Sequence, residues 1–119
     1  MKAVIRSYSC SESEDLSTYE ESYPADFGFT LTFYIGVERS KGEDSFEVFV
    51  ASAMYLAHRN SAQAPAFLRH TILAPDYNVP YAVALVEEYI SSLEENSWEE
   101  LANKINRVLR WEFEDHKMG

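Results

Sequence analysis

The sequence predicts an α+β fold, in which an antiparallel sheet of about four strands is followed by two C-terminal helices packed on one face of the sheet. In the first half of the chain, apolar side chains alternate with polar ones, which is typical of strands with one buried face. From residue 79 onward they recur at spacings of three and four, which is typical of amphipathic helices. Strands that precede helices in this way favour the α+β class. A chain of 119 residues suits one domain, which we expect to span residues 1–119.

Four strands and a short helix are predicted before residue 75. The strands are expected at residues 2–9, 27–36, 46–50 and 70–74, and the helix within residues 52–60. The second strand is the clearest, because apolar residues from Phe27 to Ile35 alternate strictly with small or polar ones. Residues 36–44 then predict a hairpin connection, in which Gly42 can adopt a positive φ.

The C-terminal third predicts two helices. Pro80 fits the first turn of the first helix, where its missing N–H does no harm. Ser97 and Glu100 form a capping box that starts the second helix. The apolar stripe of the first helix is Val79, Val83, Val86, Ile90 and Leu93. The stripe of the second is Trp98, Leu101, Ala102, Ile105, Val108 and Leu109.

The end of the chain leaves two questions open. Residues 111–115 alternate again, which fits either a short strand or an extended tail docked on the sheet. Trp111 fits either a core position or an exposed anchor, with the core favoured, whereas Trp98 is expected in the core because it lies on the helical stripe.

The charge balance excludes several classes of partner. The chain has 20 acidic and 10 basic side chains, a formal net charge of −10. Direct nucleic-acid binding needs clustered Lys and Arg, and an anionic membrane attracts the same residues, so neither partner is expected. The 46% content of hydrophobic residues argues against disorder. No signal peptide or apolar run of about 20 residues is present, so we expect a cytoplasmic protein.

No motif predicts catalysis, a metal site or a cofactor. Cys10 is the only cysteine, and His58, His70 and His116 fall in three different predicted elements. No zinc, calcium or phosphate-binding pattern and no nucleophile elbow occurs. We therefore expect a protein that is not an enzyme and has no cofactor.

One acidic segment, residues 12–26, predicts a protein contact. It contains six carboxylates and no Lys or Arg, with tyrosines interspersed. Carboxylates can pair with the cations of a partner, and tyrosine offers a large contact area. The candidate partner-binding residues are Asp15, Tyr19, Glu20, Glu21, Tyr23 and Asp26. The alternative is an acidic loop that serves only solubility.

Six short stretches resemble the immunity protein 8 family of bacterial polymorphic toxin systems. They are Met1-Lys2-Ala3-x-Ile5, Asp26-Phe27-Gly28-Phe29, Ile35-Gly36, Asp44-Ser45-Phe46-Glu47-Val48-Phe49-Val50, Ser97-Trp98-Glu99-Glu100-Leu101 and Trp111-Glu112-Phe113-Glu114-Asp115. The resemblance covers nearly the whole chain in order. Residues 52–65 match least, because Ala53-Met54-Tyr55-Leu56 stands where a more polar segment containing tryptophan is expected.

The resemblance implies a small, cytoplasmic, non-enzymatic antidote that binds and neutralises a toxin domain delivered by a neighbouring cell, as in contact-dependent inhibition. Many such toxins are nucleases, whose substrate groove must be positively charged. The expected partner is therefore a cognate toxin domain with a basic surface. Two rival functions stay open: a scaffold or homo-oligomeric subunit that associates through the Gly/Thr/Tyr side of the long strand, and a small enzyme. The oligomeric state is not predicted.

Overall fold

The long alternating segment of the chain lies within a five-stranded sheet. The structure, a computed structural model, describes residues 1–12, 26–59, 65 and 67–114. Its strands are β1 (Ala3–Glu12), β2 (Gly28–Val37), β3 (Asp44–Ala51), β4 (Thr71–Leu73) and β5 (Arg110–Trp111). Its helices, within the described ranges, are α1 (Ala53–Arg59), α2 (Val79–Ser91) and α3 (Trp98–Ile105). The α+β class is thus confirmed.

The sheet is mixed, which corrects the prediction of an antiparallel sheet. The strand order is β1-β2-β3-β4, and β5 also pairs with β3. The pairs β1–β2, β2–β3 and β3–β5 are antiparallel, but β3 and β4 are parallel. A parallel pair needs a crossover connection, usually helical, and the connection from β3 to β4 contains α1. The prediction of an antiparallel sheet was wrong at β4, because it did not take into account the crossover through α1.

The apolar residues that alternate along β2 and β3 form the core, as predicted. Every second residue of these strands is buried, and the resulting apolar face packs against α2 and α3. The strands contribute Phe29, Leu31, Phe33, Ile35, Phe46, Val48 and Val50. The helices contribute Ala82, Val83, Val86, Ile90, Leu101, Ala102 and Ile105. The hydroxyl of Tyr89 on α2 donates a hydrogen bond of 2.7 Å to the carbonyl oxygen of Lys104 on α3, which joins the two helices.

The start of α3 confirms the predicted cap. Ser97 has extended backbone angles, and its Oγ accepts a hydrogen bond from the Glu100 N–H at 3.1 Å. Asn78 caps α2 in the same way by accepting from the Tyr81 N–H, with Pro80 in the first turn. Among the described residues, no helix is long and apolar enough to cross a membrane.

Arg6 fastens the hairpin between β2 and β3 to the sheet. It lies where the β1–β2 register shifts, between Ile5 and Ser7, and its guanidinium reaches the hairpin connection. It donates to the carbonyl oxygens of Val37 at 3.0 Å, Gly42 at 3.2 Å and Ser40. Gly42 has a φ of +96°, which confirms the prediction for this turn.

Gly36→Ala is expected to destabilise the protein by about 1–3 kcal/mol, because the added methyl group overpacks the contact between Arg6 and the β2–β3 hairpin. A Cβ on Gly36 would lie 2.3 Å from the carbonyl oxygen of Gly42 and 2.9 Å from Nε of Arg6. Urea unfolding measures the loss, and Ser9→Ala at an exposed position of β1 is the control. Equal stability of the two variants would show that the hairpin accommodates the methyl group.

Two tryptophans and Asp44 join the helical layer to the sheet. The indole N–H groups of Trp98 and Trp111 both donate to Oδ2 of Asp44, at 3.1 and 2.9 Å. Phe46 lies beside both indoles, edge-on to Trp98 and stacked on Trp111. Both indoles are half-buried and pack against the core, so Trp111 is not an exposed anchor. Arg110 and Trp111 form the two-residue strand β5, and residues 112–114 lie in a turn.

Candidate protein-binding surface

Of the predicted contact residues, only Asp26 lies within the described part of the chain. The others, Asp15, Tyr19, Glu20, Glu21 and Tyr23, lie outside the described residues. The acidic contact therefore stays a prediction, and the structure adds the surroundings of its last carboxylate.

Asp26 is held at the junction of β2 and α1. Its Oδ2 accepts a hydrogen bond of 3.0 Å from Nδ1 of His58, and its Oδ1 is buried with no hydrogen-bond partner among the described residues. Ser52 fixes the next residue, since its N–H donates to the Phe27 carbonyl and its Oγ accepts from the Phe27 N–H. The Asp26 side chain is 13% exposed and that of His58 is 67% exposed. An approaching protein would therefore meet this pair mainly through His58.

A groove of about 780 Å³ lies along β4, where the sheet edge meets α2 and the turn after α3. Its walls are largely apolar. They include Leu68, Ile72, Leu73, Leu85, Val86, Tyr89, Val108 and Leu109. The volume falls in the range of ligand and peptide sites, and an apolar concavity of this size is the usual form of a recognition site.

Several side chains around this groove are apolar and exposed. Phe67 is fully exposed, and Leu68, Leu73, Leu85 and Val108 are each well exposed. A contiguous exposed apolar patch costs free energy in water unless something covers it, so such patches commonly mark interaction surfaces. We call this set of five residues and the groove beside it the β4 groove.

Phe67 to Thr71 form a ridge that separates the β4 groove from a second concavity. The second one, about 370 Å³, lies on the outer side of the sheet and includes Thr30, Glu47 and Leu56. His70 fixes the ridge: its φ is +58°, and its Nε2 donates to the carbonyl oxygen of Asn106 at 2.7 Å. His70 therefore anchors the C-terminal part of this ridge to the turn after α3.

Arginines lie at the rim of these two concavities. Arg69, Arg107 and Arg110 line them, which is three of the six arginines in the chain. Arg69 pairs with Glu114, and Arg110 lies 3.8 Å from both Glu47 and Glu114. Arg107 has no carboxylate within ion-pairing distance among the described residues. The two glutamates offset two of the three arginines, so the positive charge of this rim that no described carboxylate balances is that of Arg107.

No pattern in the sequence predicts the β4 groove. Helical spacing predicts that Val108 lies on the core stripe of α3, but this prediction is wrong: Val108 is exposed, because the helix ends at Ile105 and Leu109 takes the buried position. Leu85 lies off the buried stripe of α2, and an apolar residue at such a position is the sequence signal that could have indicated an exposed apolar surface. No group of three potential metal ligands occurs in the part of the chain that the structure describes.

The described chain is an α+β domain with an exposed apolar groove at the edge of its sheet, a feature that commonly marks an interaction surface. Comparison with family models shows that the chain belongs to the immunity protein 8 family, whose model matches residues 3–116. The family assignment connects the chain to the immunity proteins of toxin systems and implies a toxin protein as partner. No curated protein and no solved structure gives a significant match.

Proposed function

We propose that this protein is an immunity protein that neutralises a cognate bacterial toxin domain by forming a stoichiometric complex with it. The family match over residues 3–116 is the observation that carries the proposal. The protein acts by occlusion, without catalysis and without a cofactor. It works in the cytoplasm of the cell that it protects, as one domain spanning residues 1–119, within a polymorphic toxin or contact-dependent inhibition system.

The charge of the chain supports a toxin with a basic surface. A net charge of −10 attracts a protein whose active groove is positive, and a nuclease needs such a groove to bind phosphates. Electrostatic steering of this kind raises association rates by one to three orders of magnitude at low salt. We place the acidic contact at Asp15, Tyr19, Glu20, Glu21, Tyr23 and Asp26.

Co-expression with the product of the gene immediately upstream tests the proposal. We expect the chain to rescue growth from that product's toxicity and to co-purify with it in a fixed ratio. Leu101→Asp is the matched negative control, because Leu101 is fully buried and a carboxylate there prevents folding. Rescue without a complex would argue against stoichiometric binding, and absence of both rescue and complex would overturn the proposed function.

A further inference from the structure

We propose that the β4 groove receives an extended segment of the toxin, which adds as a strand to the free edge of β4 and presents apolar side chains and a carboxylate. This inference rests on the proposed function, because it names the part of the toxin that the immunity protein holds. The backbone of β4, the side chains around it and the charge at the rim of the groove each support this occupant.

The backbone of β4 has one paired side and one open side. His70 and Ala74 bond to β3, through the Phe49 N–H to the His70 carbonyl at 3.0 Å and the Ala74 N–H to the Ala51 carbonyl at 2.9 Å. Successive residues of a strand direct these groups to opposite sides, so those of Thr71 and Leu73 point away from β3. No described strand pairs with that side. An extended peptide can hydrogen-bond there, which is strand addition.

The side chains beside this edge supply most of the binding energy. The backbone of a three-residue strand alone offers too few hydrogen bonds for this. An added strand would place every second side chain toward the groove between β4 and α2. Leu85 and Val108 form exposed apolar parts of its wall, and Phe67 stands fully exposed at the ridge. Exposed aromatic and aliphatic anchors that become desolvated are typical hot spots, so an apolar segment fits this groove.

Arg107 selects for a carboxylate in the same segment. It lines the groove and has no ion pair with a described carboxylate, whereas Arg69, which also lines the groove, is already paired with Glu114. A guanidinium left free at the edge of an apolar groove favours an acidic group on the occupant. The occupant is therefore acidic and apolar, in contrast to the basic surface that the acidic segment attracts.

The two contacts are compatible with one toxin, because Asp26, the described residue of the acidic contact, lies at the same end of the sheet as β4. Gly28 pairs with Ala51, and Ala51 pairs with Leu73. Asp26, two residues before Gly28, is thus near the end of β4. A single bound domain can meet the acidic segment with its basic groove and insert a separate strand along β4.

The experiment measures binding of the upstream toxin domain, made catalytically inactive, to surface variants of this chain. Leu85→Ser and Tyr81→Ser are matched, because both residues lie on α2 and are 53% and 76% exposed, but only Leu85 lines the groove. We expect Leu85→Ser to weaken binding about tenfold or more and Tyr81→Ser less than twofold. Arg107→Glu should also weaken binding about tenfold, against less than twofold for Lys41→Glu in the hairpin.

Hydrogen exchange tests the backbone step without relying on any variant. The amide protons of Thr71 and Leu73 should exchange at least tenfold more slowly in the complex than in the free protein. Leu73→Pro removes the outward N–H, so it should bind about two- to tenfold more weakly than Leu73→Ala, which removes only the side chain. The thermal unfolding midpoint of each variant verifies that it is folded.

The outcomes separate this inference from the proposed function. If the wild-type chain binds the toxin but Leu85→Ser, Arg107→Glu and the two amides behave like the controls, the β4 groove is not the contact and the proposed function stands. If Leu85→Ser instead abolishes self-association in sedimentation while toxin binding is unchanged, the occupant is a second copy of the chain and the inference is wrong. If the wild-type chain binds no toxin, both this inference and the proposed function are wrong.

Discussion

Replacing Asp15, Glu20, Glu21 and Asp26 together by Lys is expected to slow association with the toxin domain by about ten- to a thousandfold at low ionic strength. These four carboxylates belong to the run from residue 12 to residue 26, which contains no Lys or Arg. A basic toxin groove is steered by a local concentration of negative charge, and the reversal turns that attraction into repulsion. Stopped-flow measurement of the association rate against salt concentration should also show a flatter dependence than the wild type.

The control variant has the same net charge as the quadruple Lys variant, but its charge reversals lie at other positions. Reversing Glu38, Glu43, Glu87 and Glu94, all exposed, also changes the net charge from −10 by +8 to −2. Asp26 is mostly buried and bonded to His58, so a variant with only Asp15, Glu20 and Glu21 reversed separates steering from damage to that junction. If both quadruple variants slow association equally, the net charge governs the rate and residues 12–26 are not the contact.

Local patterns predicted most of the sheet and the two C-terminal helices. The alternation from Phe27 to Ile35 reports a strand with one buried face, because side-chain direction in a strand has period two whatever lies above it. The cap at Ser97 is equally local, since the hydroxyl and the N–H that it accepts from are three residues apart. The direction of β4 is not local, because it depends on the crossover that carries the chain back across the sheet.

The β4 groove could not be predicted in the same way, because it is made of residues from separate elements. Leu73, Leu85 and Val108 belong to β4, α2 and the turn after α3, and only the tertiary fold brings them together. Val108 shows the difficulty, since helical spacing places it with Ile105 although the helix has already ended. Exposure of an apolar residue is a property of the packed molecule, whereas periodicity reports only the faces of one element.

Asp44→Ala is expected to lower the free energy of unfolding by about 2–4 kcal/mol. The substitution removes a carboxylate acceptor shared by two indole N–H groups, and each hydrogen bond to a charged group contributes about 1.5–3 kcal/mol. The expected loss is smaller than for two such bonds, because both indoles are only half-buried and water can replace part of each bond. It also loosens the contact of both rings with Phe46, which joins β3 to α3 and β5. Trp98 and Trp111 are the only tryptophans of the chain, so urea unfolding followed by tryptophan fluorescence reports on this cluster directly.

Two neighbouring substitutions decide whether the carboxylate of Asp44 is the cause. Glu43→Ala removes an exposed carboxylate one residue earlier and should change stability by no more than about 0.5 kcal/mol. Asp44→Asn keeps an oxygen acceptor without the charge, so its loss should lie between those of the two alanine variants. Equal unfolding curves for Asp44→Ala and Glu43→Ala would mean that water replaces the carboxylate at the indoles, and that backbone pairing and stacking on Phe46 hold β5 against β3 without it.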